Sequence, residues 1–395
     1  MVPPTPVPPG ATIGIVGGGQ LGRMLALDAR RMGYRVVVLD PSSDPPAAAV
    51  ADEHVRAPFD DPQAAADLAG RCDVVTFEVE HVSLDAARAA ARARPTRPSV
   101  DVLASCQDRI REKRFLRNHG FPTAPWRAAG SVGEVEEAIT ALGLPCVVKI
   151  PFFGYDGRGQ VRVAAPDDVA AACALGFDRG PLVVERYVPF STEVAVVVAR
   201  GLDGSVRSYP VARTLHDEGI LVEVSVPAPL PAPVAARATA LAESVAAALD
   251  AVGVLAVEMF VLERGEILIN ELAPRPHNAG HYTISACATS QFEQHLRAIC
   301  GLPLGAATLH TPAAMVNLLG ERAGPVRLAG AEAALAEPGV FLHLYGKAES
   351  WPRRKLGHLT ALGATADQAL AAARRAAAAL RWDPLPAHAG TRPPG

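Results

Sequence analysis

The chain has 395 residues, of which 49% are hydrophobic and 20% charged, with a formal net charge of −3. That length exceeds one ordinary core and predicts two or three domains. The near-neutral balance gives no electrostatic case for nucleic acid or an anionic membrane as partner. Six cysteines (Cys72, Cys106, Cys146, Cys173, Cys287 and Cys300) are scattered singly, without zinc-site or disulfide spacing, which fits a reducing cytosol. The opening MVPPTPVPPG lacks the basic and apolar regions of a signal peptide, and no apolar run reaches membrane-spanning length. A cytoplasmic protein is therefore expected. Residues 1–10 and 383–395 are Pro-rich and are expected to be disordered tails.

Residues 11–100 alternate strand-like and helix-like segments, which predicts a Rossmann-like parallel sheet with helices on its faces. Gly17-Gly18-Gly19-Gln20-Leu21-Gly22 fits G-x-G-x-x-G between a strand and a helix, and Asp40 closes the next strand. An NAD-dependent oxidoreductase has to be weighed on this motif. Its physical content is narrower: the glycines let backbone N–H groups and a helix N-terminus approach a phosphate. Pro41 follows Asp40 and no complete hydride-transfer constellation lies downstream, so a phosphorylated substrate is the preferred reading. Glu78 and Glu80 sit at the carboxyl end of a strand, where open α/β sheets bind ligands, and strand alternation puts both on one face. Surface glutamates opening a loop would look the same.

Residues 101–130 read as a linker and a basic helix, QDRIREKRFLRNHG, whose charges are expected to form a solvated face. Ser131 and Glu134 make a capping box for a helix reaching residue 142. The apolar strand LPCVVKIP carries Lys149, an ammonium that calls for an anionic partner, either a salt bridge or a nucleotide phosphate. The loop after it, Gly154 to Gln160 (GYDGRGQ), has the glycines of a lid able to fold over phosphates, although it is no Walker A motif. Glu185 ends the following strand and Glu193 opens the next. His216 lies at a later strand end, where an anion contact competes with an ordinary structural role.

An Ala-rich helix over 234–251 leads to an acidic hairpin, VLAVEMFVLERGEILINELAPR. With Arg264-Gly265 as a two-residue loop, Glu263 faces Glu266 and Glu258 faces Glu271. Two opposed carboxylates repel, and a hard cation such as Mg²⁺ with phosphate oxygens would hold them together. The alternative is a solvated edge, which the apolar neighbours of each glutamate disfavour. Asn270 to Asn278 forms a rigid polar exit, a helix follows over 289–300, and strands alternate with a last Ala-rich helix over 367–380. Arg353-Arg354-Lys355 is a basic cluster, either a solvated turn or an anion contact.

In this order and spacing, GGGQLGRM, the Lys149 strand with GYDGRGQ, VVER with STEVAVVVAR, LHDEGI, AVEMFV, INELAPRPHNAGH with TSQFEQHLRAI, and PRRKLGHL resemble one family: 5-(carboxyamino)imidazole ribonucleotide synthase, of the ATP-grasp superfamily. The resemblance implies three domains: Rossmann-like over 11–100, ATP-grasp over 101–310, and a small C-terminal β-rich domain over 311–382. It implies ATP- and bicarbonate-dependent carboxylation of 5-aminoimidazole ribonucleotide through carboxyphosphate, by a cytoplasmic homodimer. It assigns ATP to Arg109, Lys149, Gly154, Tyr155, Asp156, Gly157, Arg158, Gly159, Gln160, Glu185, Arg186, Tyr187, Val188, Glu193, His216, Asn270 and Glu271. Mg²⁺ falls to Glu258 and Glu271, and catalytic roles to Asp156, Arg158, Arg275 and His277. Ribonucleotide contacts fall to Gly19, Gln20, Glu78, Tyr155, Asn278, Arg354 and Lys355. Other readings are a different ATP-grasp ligase or formate-using transferase, the NAD enzyme, and a nucleotide-sensing scaffold without turnover.

Overall fold

The computed structural model describes residues 5–152, 154 and 159–384. The N-terminal region is a four-stranded parallel sheet in the order Glu53–Val55, Arg35–Leu39, Thr12–Val16, Val74–Phe77. Ile13, Ile15, Val36, Val38 and Val74 carry no exposed surface, as expected for strands covered on both faces. The helix Gln20–Arg31 follows the first strand directly, with Gly19 at its N-cap and no side chain capping it. This is the Rossmann-like architecture expected from the alternating pattern.

Two sheets build the middle of the chain. The smaller is antiparallel, in the order Trp126–Ala129, Leu182–Arg186, Cys146–Lys149, Gln160–Val163. The helix Val132–Leu142 packs on it, and Ser131 accepts from Glu134 N as expected. The reciprocal bond differs: Glu134 Oε2 accepts from Gly130 N, one residue before the cap.

The larger sheet has nine strands. Its main path runs Ile267–Ala273, Gly253–Val261, Thr192–Arg200, Ala212–Asp217, Ile220–Val226, Ala313–Leu319, Lys355–Leu362, Val340–Leu344. The last three strands belong to the C-terminal region. They continue the same sheet, because Ile220–Val226 pairs with Ala313–Leu319.

The hairpin turn corrects the two-residue loop. Gly265 N donates to Leu262 O at 2.8 Å and Leu262 N to Glu266 O at 2.9 Å, so the loop is Glu263-Arg264-Gly265. Only Gly265 takes a positive φ, +81°. A two-residue Arg-Gly loop of type I′ would demand that conformation of Arg264 as well, which a side chain disfavours. Val261 therefore faces Ile267, and Glu266 faces Leu262 instead of Glu263. A bulge between Glu258 and Met259 leaves Asn270 without a register partner and restores Glu258 opposite Glu271.

Both chain ends differ from the expected tails where they are described. Val7 N donates to Cys300 O at 2.8 Å, and Tyr34 Oη donates to Val7 O at 2.8 Å, pinning the proline-rich start to the fold. Arg381–Pro384 pairs as a strand with Gly324–Ala329.

Candidate functional site

Two cavities meet between the N-terminal parallel sheet and the smaller and larger sheets of the middle of the chain. One, about 380 Å³, is lined by Lys149, Gly154, Gly159, Gln160, Glu185, Arg186, Tyr187, Val188, Glu193, His216, Glu258, Asn270 and Glu271. The other, about 310 Å³, reaches the N-terminal region and is lined by Gly19, Gln20, Glu78, Glu80, Gln107 and Glu112. Arg109, Gly154, Glu271, Arg275, His277, Asn278 and Lys355 line both, so the two spaces are lobes of one cleft. Of the predicted site residues, Tyr155, Asp156, Gly157 and Arg158 lie outside the described residues.

The first lobe is organised by buried charge. Lys149 Nζ donates to Glu185 Oε2 at 3.0 Å, so the lysine strand has its anionic partner within the chain. Burial alone would raise the Glu185 carboxyl, but Lys113 and Lys149 hold it down at about 2. Burial pulls Lys149 below the usual lysine range in spite of Glu185. Arg109 Nη1 donates to Glu271 Oε2 at 2.9 Å. Glu258 Oε1 stands 3.1 Å from His277 Nε2; burial opposes its ionisation, and His277 overrides this and lowers its pKa. His216 Nδ1 is 2.7 Å from Glu193 Oε2, a contact that raises the His216 pKa against the effect of burial.

The donor set suits a small hard cation. Glu258 and Glu271 share one face of the hairpin through their register, and buried Asn270 Oδ1 beside them has no hydrogen-bond partner. These are oxygen donors, few enough to leave coordination positions for phosphate oxygens, which is how Mg²⁺ is commonly held. Among the described residues no group of three or more His, Cys, Asp or Glu forms a self-sufficient metal cage.

The second lobe corrects the phosphate reading of the glycine loop. Gly18 N donates to Asp40 Oδ2 at 2.8 Å, Gly19 N to Glu78 Oε1 at 2.7 Å and Gly22 N to Glu78 Oε2 at 2.9 Å. Two carboxylates of the chain itself occupy the cradle, so neither a dinucleotide pyrophosphate nor another phosphate has those donors available. Burial pushes the Glu78 carboxyl up to about 7, although its two N–H donors oppose the shift. Gln20 Oε1 accepts from Lys347 Nζ at 2.7 Å.

The basic cluster splits. Lys355 opens a strand, is buried, and lines both lobes. Arg354 is not brought to the cleft: its Nη1 donates to Glu349 O at 2.5 Å and its guanidinium lies 3.7 Å over the Trp351 ring. Arg353 at φ +69° turns the chain and pairs with Asp217 at 2.9 Å. Consecutive side chains entering a strand point to opposite sides, and only one of this pair can face the ligand space.

Sequence reasoning missed part of the basic helix. Arg109–Asn118 does not present only a solvated face: Glu112 and Lys113 are each 1% exposed. Glu112 Oε2 accepts from Leu272 N at 2.9 Å, and burial pushes this carboxyl upward. The spacing 109, 112, 113 on one helical face was the available signal. Gln291 was also missed. Its Oε1 accepts from His277 N at 2.9 Å and its Nε2 donates to His277 O at 2.7 Å, clamping both main-chain groups of a residue that touches Glu258.

Residues 114–292 match the ATP-grasp domain, residues 10–107 the ribonucleotide synthetase preATP-grasp domain, and residues 313–372 the phosphoribosylaminoimidazole carboxylase C-terminal domain. The chain is 45% identical to the N5-carboxyaminoimidazole ribonucleotide synthase of Brucella melitensis, over 90% of this chain and 97% of the relative. It is 41% identical to the Bacillus subtilis protein of the same name, over 89% and 91%. Its fold matches the N5-carboxyaminoimidazole ribonucleotide synthetase of Thermotoga maritima with a TM-score of 0.86 and 39% identity, covering 95% of this chain and 100% of that one. It matches the N5-carboxyaminoimidazole synthase of Aspergillus clavatus, solved with ADP and 5-aminoimidazole ribonucleotide, with a TM-score of 0.86 and 36% identity over 93% and 98%. Likeness of this depth along nearly the whole chain makes it a member of the N5-carboxyaminoimidazole ribonucleotide synthase family of ATP-grasp enzymes.

Proposed function

We propose that this chain uses ATP and bicarbonate to carboxylate the exocyclic amine of 5-aminoimidazole ribonucleotide, releasing ADP and phosphate, in purine biosynthesis. The observation that carries this reading is the two-lobed cleft. One lobe gathers the cations and carboxylates that a nucleotide triphosphate needs, the other opens toward Gly19, Gln20 and Glu78, and both share Arg275, His277, Asn278 and Lys355.

Bicarbonate is a poor electrophile and requires activation. Its oxygen attacks the γ-phosphorus of ATP, the bond to ADP breaks, and carboxyphosphate forms. Phosphoryl transfer of this kind is mainly a matter of positioning and charge neutralisation. Lys149 and Arg109 supply positive charge along the phosphates. Glu258 and Glu271, with Asn270 Oδ1, would hold Mg²⁺, which when bound neutralises phosphate charge. Carboxyphosphate then divides into carbon dioxide and phosphate within the shared part of the cleft. There Arg275, whose Nε lies 2.7 Å from Glu80 Oε1, and Lys355 offer cationic contacts. The substrate amine attacks carbon dioxide, and the departing phosphate accepts the amine proton, so no protein base is required. The reactive intermediate favours a closed, water-poor site.

Cytoplasmic location and a homodimer belong to the same reading, and light scattering on the purified protein tests the latter. The decisive experiment measures ADP release with and without bicarbonate and 5-aminoimidazole ribonucleotide. ADP formation that requires both supports the assignment, and ADP formation indifferent to the ribonucleotide overturns it. Nucleotide binding without any turnover would favour a sensing role instead.

A further inference from the structure

Lys113 has no part in the reaction as described so far, yet its side chain is 1% exposed and stands between the two charged parts of the nucleotide lobe. On one side its Nζ lies 3.1 Å from Glu185 Oε1, while the other oxygen of that carboxylate accepts from Lys149 at 3.0 Å. On the other side Nζ donates to the main-chain oxygen of Asn270 at 3.3 Å. Asn270 is the residue at the bulge that returns Glu258 to its place opposite Glu271.

Two features of this arrangement ask for more than a structural salt bridge. One carboxylate shared by two ammonium groups leaves a unit of positive charge in excess, in a setting where an unbalanced cation is costly. The neighbouring Arg109–Glu271 pair is neutral as a unit and does not cancel it, and burial favours the neutral form of Glu112, the remaining buried carboxylate on the Lys113 helix. A surplus of that sign is useful only toward an anion. The second feature is mechanical: one buried ammonium joins the strand bearing Glu185 to the hairpin bearing the two carboxylates.

We infer that Lys113 is a positioning residue for the nucleotide. It engages half of Glu185 and leaves Lys149 with charge available to a phosphate, and through Asn270 it fixes the spacing between that lysine and the carboxylate pair. The inference rests on the ATP reading above, and the wild-type control separates the two. A wild type that makes no ADP counts against the reading, whereas the variants bear on Lys113.

The test is the full-length Lys113→Met variant, assayed for ADP release with ATP, Mg²⁺ and the ribonucleotide varied in turn. The expected result is a raised KM for ATP that lowers kcat/KM for ATP about thirtyfold or more and a raised Mg²⁺ requirement, with the KM for the ribonucleotide within about threefold of wild type; a factor of thirty corresponds to about 2 kcal/mol. Unchanged nucleotide kinetics, or an equal loss in kcat with every KM unaltered, would mean that Lys113 only supports the fold and would overturn the inference. Should K113M not fold, Lys113→Arg decides, since it keeps the charge but moves its position. A raised KM for ATP at wild-type thermal stability supports the inference, and an unaltered KM with a lowered melting temperature overturns it.

Discussion

Glu258 and Glu271 face each other because two one-residue deviations cancel. The three-residue loop shifts the ladder by one near the turn, and the bulge at Asn270 shifts it back. Without the bulge Asn270 would stand opposite Glu258, and Glu271 would point to the other face of the sheet. A hairpin that spends a bulge on aligning two like charges is explained by a cation shared between them. Glu271→Gln keeps the shape but removes one charge and the Arg109 ion pair. Turnover should fall about a hundredfold or more, judged by the effect of disturbing metal surroundings, in a protein that still folds but melts at a lower temperature because buried Arg109 loses its ion pair. Wild-type ADP production by this variant would remove the carboxylate pair from the reaction.

Much of the site was legible where periodicity carries the information. Alternation along 254–262 and 266–273 announces which carboxylates share a face, and the pairing of Glu258 with Glu271 follows even from the wrong loop. Turn chemistry was less legible, since the choice between two and three loop residues depends on the φ that Arg264 would have to adopt. Arg109–Asn118 was misread because a run of charges looks solvated, and only tertiary packing buries the face holding Glu112 and Lys113. The glycine loop illustrates a different limit. Its backbone donors were recognised as an anion cradle, but nothing local says that the anions are Asp40 and Glu78, distant in sequence. Likewise the continuity of the C-terminal strands with the large sheet is a non-local pairing.

The occupied cradle makes Gly19 a sensitive position. A Cβ there would lie 2.6 Å from Glu78 Oε1, closer than any packing allows. Gly19→Ala should displace the Glu78 carboxylate into the second lobe and leave the first untouched. The KM for 5-aminoimidazole ribonucleotide should rise about tenfold, or about 1.4 kcal/mol, while the KM for ATP stays within about twofold. Steady-state kinetics with each substrate varied separately checks this. An equal rise in both would mean that Glu78 does not serve the ribonucleotide lobe selectively.

Gln291 is wholly buried and satisfies the N–H and the carbonyl of His277 together. Gln291→Leu leaves the His277 N–H without a partner, at a cost of about 1–3 kcal/mol for an unpaired buried group, while the His277 carbonyl keeps the bond it accepts from Gly280 N at 2.9 Å. Urea unfolding should show a loss of about 1–3 kcal/mol. The fraction that remains folded should bind Mg²⁺ more weakly, because the ring contacting Glu258 has lost its anchor. Stability within about 0.5 kcal/mol of wild type would contradict the clamp.

His295 supplies a pH dependence whose sign can be worked out. Val254 N donates to its Nδ1 at 3.0 Å, so that nitrogen carries no proton, and Nε2 stands 2.8 Å from Thr76 Oγ1. Burial pushes the ring down to about 3 in the fold, against roughly 6.5 in an unfolded chain. Above about pH 6.5 both states are neutral here and the contribution to stability is complete. As pH falls from there toward 3, the unfolded chain binds a proton that the fold refuses, and stability drops by about 1.4 kcal/mol per pH unit. His281 and His358, also depressed by burial, act with the same sign. Glu78 and Glu112 act oppositely, since burial raises them and the fold accepts their protons more readily than the unfolded chain does. Those groups are common to wild type and to His295→Gln, so the comparison isolates one ring. Between pH 7.5 and 5.5 the wild type should lose about 1.4 kcal/mol more than the variant, measured by urea unfolding at both pH values. Equal losses in the two proteins would show that His295 takes up its proton in the folded state.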